Sequence, residues 1–309
     1  MFQHTEIREE EVIGKEHYVM NEGSRLFLWE KTLDLGEKDF GSILFVHGSS
    51  MASQPTFDLD VQGRPYSSAM NWFALNGFDT WCLDVEGYGR SDKTKDSNFD
   101  ISSGADDLAA ATNYICDLKK IEKVHVYGIS SGALRAGLFA ERQPERVSRL
   151  ALDAMVWTGQ GSPTLIERRK KIDEFKSSNR RPINYEFVRS IFTRDHPGTT
   201  EEKVIEAFST YVCSLDDSIP NGTYVDMCEN LPIVNPLNLT MPVLVMRGQW
   251  DGIASIDDLL NFFRLLPNPD KQFKSMPGIS HGSFQQKNYL MVYRILYDFF
   301  TQPEPVYVG

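Results

Sequence analysis

Cysteine is scarce in this 309-residue sequence, which contains only Cys82, Cys116, Cys213 and Cys228. None of them belongs to a Cys-x-x-Cys pair, so neither a zinc ribbon nor a dithiol redox motif is indicated. Cys82 also lies inside an apolar run that predicts a buried strand. This cysteine usage fits a reduced compartment, and we expect a cytoplasmic protein.

Long apolar runs and basic patches are also missing. No stretch reaches the roughly 20 apolar residues of a membrane span, and residues 1–20 are charged where a secretory leader would be apolar. Lys and Arg number 32 against 43 Asp and Glu, which gives a net charge of −11. We interpret the short basic run at residues 168–171 as a solvated helix face. We therefore expect neither a membrane nor a nucleic-acid partner.

The most informative stretch is residues 123–140, where a β-branched apolar run ends at a serine and a helical pattern of small residues begins. This serine, Ser130, has a glycine two residues away on each side, which is the Gly-x-Ser-x-Gly spacing of a nucleophile elbow. In so tight a turn only glycine leaves enough room at those two positions. The turn projects the hydroxyl out of the sheet and places Ser130 at a helix N-terminus, where developing negative charge is stabilised.

Other apolar runs resemble the one before Ser130 and predict strands that are covered on both faces. They span residues 42–46, 78–83, 147–152 and 241–246. Amphipathic helical patterns separate them, and a turn at residues 21–24 between two alternating runs predicts an N-terminal hairpin. This alternation predicts an α/β fold with a doubly wound, mostly parallel sheet, in which the loops at the C-terminal ends of the strands hold the ligand.

The alternation of strand and helix stops between residues 155 and 238. Helical patterns without a strand occupy this interval, at residues 163–176, 183–192, 200–213 and 220–230. We therefore divide the chain into an α/β core domain, residues 1–154 and 239–309, and a helical cap or lid insertion, residues 155–238. Trp157 follows a predicted strand so closely that we expect it to face an apolar substrate pocket.

A serine hydroxyl needs a base to accept its proton and an acid to orient that base. His281 lies in a glycine-rich loop after the last short strand, and we predict that it is the base. Asp251 and Asp153 each follow a predicted strand. We favour Asp251 over Asp153, because the order Ser, Asp, His with the acid after a later strand is the usual arrangement. Four further histidines are interpreted as structural or surface residues: His4, His17, His125 and His196.

Five stretches resemble the landmarks of the α/β-hydrolase fold family and follow one another in the same order. They are residues 47–48, 84–91, 128–132, 248–251 and 278–281. The resemblance implies an oxyanion hole made by the backbone N–H groups of Ser49 and Ser131, with His47 as a structural residue. It also implies that the helices between residues 155 and 238 form a cap. Glu86 departs from the family pattern, in which arginine or proline often occupies that position.

A serine nucleophile indicates acyl chemistry, whereas epoxide hydrolases and haloalkane dehalogenases on this fold need a carboxylate nucleophile. We therefore predict that Ser130, Asp251 and His281 form a catalytic triad. It would hydrolyse a carboxylic ester of a small or medium apolar substrate through an acyl-enzyme.

The same triad leaves several other functions open. These are a carbon–carbon bond hydrolase for ring-cleavage products, an amide or lactone hydrolase, an acyltransferase and, less favoured, a ligand receptor. The sequence has neither a metal-spaced cluster of ligands nor a phosphate-binding loop, so we expect no cofactor and no metal. The expected partner is a small-molecule substrate, and the sequence leaves a homo-oligomer open.

Overall fold

An eight-stranded sheet forms the centre of the fold. The computed structural model describes residues 9–34, 36 and 39–307, so the interpretation of His4 and part of the leader prediction lie outside the described residues. The strands are β1 (Ile13–Asn21), β2 (Ser24–Thr32), β3 (Ser42–Val46), β4 (Asp79–Asp84), β5 (Val124–Ile129), β6 (Val147–Asp153), β7 (Arg180–Pro182), β8 (Ser218–Pro220), β9 (Val243–Gly248) and β10 (Lys271–Met276). The described residues form ten strands, of which β7 and β8 lie outside this sheet.

Strand pairing confirms the predicted mostly parallel sheet. The order across the sheet is β1-β2-β4-β3-β5-β6-β9-β10. β1 and β2 form the predicted N-terminal hairpin, and β2 pairs antiparallel with β4. All other neighbours in this sheet pair in parallel. The C-terminal ends of β3, β5, β6 and β9 therefore meet at one edge of the sheet.

Helices cover both faces of the sheet. They are α1 (Ser53–Phe57), α2 (Ala69–Leu75), α3 (Ile101–Lys119), α4 (Ser131–Arg142), α5 (Pro163–Arg169), α6 (Ile172–Lys176), α7 (Tyr185–Thr193), α8 (Glu202–Leu215), α9 (Gly222–Glu229), α10 (Ile256–Leu265) and α11 (Tyr289–Phe300). Successive residues of a strand point to opposite faces, so Leu44 and Val46 join a core with α3 and α4. Ile43 and Phe45 join a second core with α2 and α11. This two-sided burial explains why the strand sequences are continuously apolar.

The interval between β6 and β9 contains α5 to α9 and is not free of strands. Arg180–Pro182 pairs antiparallel with Ser218–Pro220 as β7 and β8, so the strand-free prediction was wrong. Segments this short carry no readable alternation, and their pairing depends on how the flanking helices pack. The predicted helix at residues 163–176 is also divided into α5 and α6.

Helix α2 begins at Ala69 and not at an earlier residue. Tyr66 has a φ of 55°, which a right-handed helix cannot contain. Ser68 then acts as the N-cap, because its Oγ accepts a hydrogen bond from the Asn71 N–H at 3.0 Å. Among the described helices, none combines the length and apolar character that a membrane span requires.

Candidate functional site

Ser130 lies in a strained turn between β5 and α4. Its backbone has a φ of 58° and a ψ of −125°, which an L-residue rarely adopts. The Ser130 N–H donates a hydrogen bond to the Asp153 carbonyl at 2.8 Å and so ties the turn to β6. A Cβ at Gly128 would lie 2.4 Å from the Gly132 carbonyl oxygen, and one at Gly132 would lie 2.3 Å from the Val46 carbonyl oxygen. The two glycines are therefore required by close backbone approach.

Ser131 is the first residue of α4, so its backbone N–H has no acceptor within the helix. This N–H follows Ser130 directly and lies at the positive end of the helix dipole. A neighbouring oxygen that gains negative charge would be stabilised there.

His47 determines the orientation of the peptide that joins Gly48 to Ser49. Its Nδ1 donates to the Gly48 carbonyl oxygen at 2.7 Å, and its Nε2 accepts from the Val85 N–H at 3.2 Å. Burial, reinforced by the charge of Arg135, lowers the pKa of His47 to about 3, so the ring is neutral. In a trans peptide the N–H points away from the carbonyl, so a fixed Gly48 carbonyl also fixes the Ser49 N–H. His47 thus lies behind the loop as a structural residue.

His281 and Asp251 lie in contact. The His281 Nδ1 is 3.2 Å and 3.3 Å from the two carboxylate oxygens of Asp251. One of these oxygens also accepts hydrogen bonds from the backbone N–H groups of Ile253, at 2.8 Å, and Ala254, at 3.1 Å. Burial raises the pKa of Asp251, but the His281 ring and these N–H groups outweigh it and hold the pKa below its usual value. Asp251 is therefore an ionised, oriented carboxylate beside an imidazole.

Asp153, the rival acid, has a different partner. Its Oδ2 accepts a hydrogen bond from the Tyr127 hydroxyl at 2.7 Å. Burial raises the pKa of Asp153 to about 6, and the charge of Asp251 adds to the shift. The described contacts thus bring Asp251 to His281 and leave Asp153 bonded to a tyrosine.

A third carboxylate, Asp195, lies in the loop after α7 and close to Asp251 and His281. One ligand atom from each of these three residues lies within 4.8 Å of the others. Asp195 forms an ion pair with Arg194, with N–O distances of 2.7 and 3.2 Å. Since Asp251 is bonded to His281 and to two N–H groups, these carboxylates are already compensated by protein groups, which an open cation site would not be.

Ser130 and His281 line one pocket, together with Ser49. The pocket leaves about 630 Å³ between protein atoms, part of it open to solvent. An apolar part is formed by Met51, Phe187, Ile191, Phe192 and Phe208. A polar part is formed by Arg168, Ser190, Arg194 and Tyr224. Residues between positions 155 and 238 therefore supply much of the lining, and the site is not purely apolar.

Trp157 lies elsewhere and is not among the described residues that line this pocket. Its indole N–H donates to the Val234 carbonyl at 3.1 Å, and its ring meets the edge of Phe262 at a centroid distance of 5.8 Å. The backbone N–H of Trp157 is bonded to Asp258. These contacts place Trp157 in the packing between the insertion and α10.

The Tyr224 ring is buried among guanidinium groups. The Cζ atoms of Arg181 and Arg168 lie 3.5 Å and 4.1 Å from its centroid, and the Tyr224 hydroxyl is 3.4 Å from Ser50 Oγ. Burial raises the pKa of Tyr224, but the charges of Arg168, Arg181 and Arg194 outweigh it and lower the pKa to about 7.

This arginine cluster is not predicted from the sequence, because the basic run at residues 168–171 is interpreted there as a solvated helix face. For Arg168 that interpretation was wrong, since Arg168 lines the pocket. A signal was available, because Leu165 is the buried residue of α5 and Arg168 lies three positions later on the same helix face. No comparable pattern marks Asp195.

Comparison with known proteins identifies a matching family and solved structures of similar fold. Residues 61–288 match the family described as serine aminopeptidase, S33. The 2-hydroxy-6-oxononadienedioate/2-hydroxy-6-oxononatrienedioate hydrolase 2 of Pseudomonas putida is 26% identical over 247 residues, covering 76% of this chain and 79% of that protein. A soluble variant of monoglyceride lipase from Saccharomyces cerevisiae has a TM-score of 0.70 at 17% identity, covering 96% of this chain and 97% of its own. Naproxen esterase from Bacillus subtilis has a TM-score of 0.64 at 17% identity, with coverages of 94% and 92%.

Tyr224 should ionise near neutral pH. We expect one of the 12 tyrosines to titrate with a pKa of about 7 in a near-ultraviolet absorbance titration, and Tyr224→Phe to remove that step. Arg168→Gln should move the step to higher pH, because it removes a cation that stabilises the phenolate. A wild-type titration in which no tyrosine ionises below the ordinary value of about 10 would contradict this assignment.

Trp157→Ala should act on stability rather than on substrate choice. We expect the free energy of unfolding to fall by about 2–3 kcal/mol, below the range for a fully buried tryptophan, because the residue is only partly buried. The kcat/KM of folded protein should change by the same factor for short and long acyl esters. Phe187→Ala, at a residue that lines the pocket, is the matched control and should change these values unequally. Unequal changes for Trp157→Ala would place it in substrate contact.

Proposed function

This chain belongs to the serine aminopeptidase S33 family of α/β hydrolases, and from that premise we propose that it is a serine hydrolase that cleaves carboxylic esters through an acyl-enzyme on Ser130. The observation that carries the proposal is one pocket lined by both Ser130 and His281, with the His281 ring bonded to Asp251. A strained serine at a helix N-terminus beside an imidazole–carboxylate pair is the arrangement that serine acyl transfer requires.

In the proposed mechanism Ser130 Oγ attacks the ester carbonyl while its proton passes to Nε2 of His281. The C–O bond then breaks, and the departing alkoxide takes that proton and leaves as an alcohol. A water molecule attacks the acyl-enzyme and gives its proton to His281, which returns it to Ser130 as the carboxylic acid is released. Asp251 holds the ring with Nε2 toward Ser130 and stabilises the imidazolium.

The proposed oxyanion hole consists of the backbone N–H groups of Ser49 and Ser131. The first is supported by the fixed Gly48 carbonyl in the same peptide, and the second by its place at the start of α4. Because these donors are rigid before reaction, they stabilise the tetrahedral intermediate without reorganisation. Residues 155–238 would then act as the cap, since they supply much of the pocket lining.

Carbon–carbon bond hydrolysis is the second candidate. The Pseudomonas putida relative is named a hydrolase of 2-hydroxy-6-oxononadienedioate, and it matches this chain over 76% of its length. Loss of absorbance of a coloured ring-cleavage dienol would identify that activity. Aminopeptidase activity is less well supported, because a free amino group needs an acidic partner and the described pocket lining has arginines but neither Asp nor Glu.

Ser130→Ala tests the nucleophile. We expect the variant to fold with an unchanged melting temperature and to lose at least about 10³-fold in kcat on a p-nitrophenyl ester, because only binding and the oxyanion hole remain. An active-site titration with a fluorophosphonate should label the wild type and not the variant. If the variant kept more than about a tenth of the activity, Ser130 would not be the nucleophile.

Two aspartate variants test which acid orients the base. Asp251→Asn should lower kcat by about 10²- to 10⁴-fold, because it removes the charge that stabilises the imidazolium. Asp153→Asn is the matched control, a second buried acid after a neighbouring strand, and should cost far less because Tyr127 can still donate to the amide oxygen. A larger loss from Asp153→Asn would reverse the assignment.

A further inference from the structure

One wall of the pocket beside Ser130 is cationic. Arg168 and Arg194 line it together with Tyr224, and no Asp or Glu is found among the described residues of this lining. Arginine is the side chain that recognises planar anions, since its fork of N–H donors matches a carboxylate. The neutral apolar substrate predicted from the sequence would leave this wall without a partner.

The arginines differ in whether a carboxylate already compensates them. Arg194 is paired with Asp195. Arg181 donates to the carbonyl oxygens of Ser49, at 3.1 Å, and Pro220, at 2.6 Å, neither of which carries a charge. Arg168 has no carboxylate partner within the part of the chain that the structure describes, and its contact there is with the Tyr224 ring.

An unpaired guanidinium in a pocket is costly, and the cost falls when an anion binds. Burial lowers the pKa of Arg168, as expected for a cation that lacks a counter-charge. The neutral Tyr224 ring offers Arg168 a cation–π contact, but it carries a negative charge only when its hydroxyl is ionised. With Tyr224 protonated, Arg168 and Arg181 both lack a matching negative charge.

The cluster can be reached from solvent. An outer groove on the insertion is lined by Arg181 and Phe175 and shares Arg168, Arg194 and Tyr224 with the inner pocket. A hydrated anion could therefore enter along the groove and exchange water for the guanidinium groups. The groove lining also contains Lys171 and three acidic residues: Glu167, which is paired with Lys170, Asp195, which is paired with Arg194, and Glu174.

We infer that the substrate carries a carboxylate, which binds at Arg168 beside Arg181 and Tyr224 while its acyl carbonyl lies at Ser130. The inference rests on the proposed ester hydrolysis and narrows the substrate class to half-esters of dicarboxylic acids. The ester end occupies the apolar part of the pocket and the acid end the cationic wall. Arg168 is then a specificity-determining residue supplied by the insertion.

Two esters of equal acyl length test the inference: the p-nitrophenyl monoester of glutaric acid, and p-nitrophenyl valerate, which has a methyl group in place of the acid. Below the pKa of Tyr224 we expect the wild type to favour the glutarate in kcat/KM, after correction for spontaneous hydrolysis. Arg168→Gln should lower the ratio of the two kcat/KM values about 10- to 100-fold, the usual effect of a charge-assisted hydrogen bond. Arg168→Lys, which keeps the charge without the fork, should retain part of the preference.

Lys170→Gln is the matched control. Lys170 lies two residues after Arg168 and forms an exposed ion pair with Glu167, so its loss removes the same charge and should leave the ratio unchanged. Melting temperatures verify that each variant folds. Equal kcat/KM values of the wild type for the two esters, or an equal fall of both in Arg168→Gln, would overturn the inference.

A binding measurement separates this inference from the proposed function. In Ser130→Ala, calorimetry should show monomethyl glutarate binding at least about 10-fold more tightly than neutral dimethyl glutarate, with Arg168→Gln abolishing the difference. If the wild type hydrolyses neither ester but this difference is present, the ester function fails and the anion site stands. If esters are hydrolysed but the difference is absent, the function stands and the anion site fails.

Discussion

The site depends on a turn that the chain would not adopt alone. Ser130 has a positive φ, which costs about 1–3 kcal/mol and persists only where the surroundings determine it. Here the hydrogen bond from the Ser130 N–H to β6 and the close approach of Gly132 to β3 impose the conformation. Three neighbouring strands thus hold Ser130 in position, so the placement of its hydroxyl depends on the stability of the sheet.

Asp251 and His47 lie in loops at the same edge of the sheet as Ser130, and each is held by bonds to backbone groups. The Asp251 carboxylate accepts two N–H groups, and the His47 ring bridges the Gly48 carbonyl and the Val85 N–H. Such bonds offset the loss of hydration that burial imposes. Through Asp251 they also orient the His281 ring, and through His47 they orient the Ser49 N–H. The same hydrogen bonds therefore satisfy buried polar groups and preorganise the site for the proposed reaction.

Residues 155–238 contribute differently from the sheet. The sheet and its loops supply the groups proposed to carry out the chemistry, while the insertion supplies Phe187, Phe192 and the arginine cluster. The two parts meet where Asp195 approaches Asp251 and where His196 stacks on Trp250 at 4.3 Å. A change in the insertion can therefore alter substrate choice while leaving the groups around Ser130 in place.

The sequence by itself determined the alternation of strands and helices and the elbow around Ser130, because short-range sterics and the period of apolar residues govern these features. It also predicted that Asp251 and His281 lie together, since each lies in a loop after a strand whose C-terminal end must reach the same edge of the sheet, and the two side chains are in contact. Only the tertiary structure decided that Trp157 packs away from the pocket while Arg168 and Asp195 approach it. These positions depend on how the short helices of the insertion pack against the sheet domain. The sequence around Arg168 is also the same whether its helix face contacts water or a pocket, so the sequence does not distinguish the two.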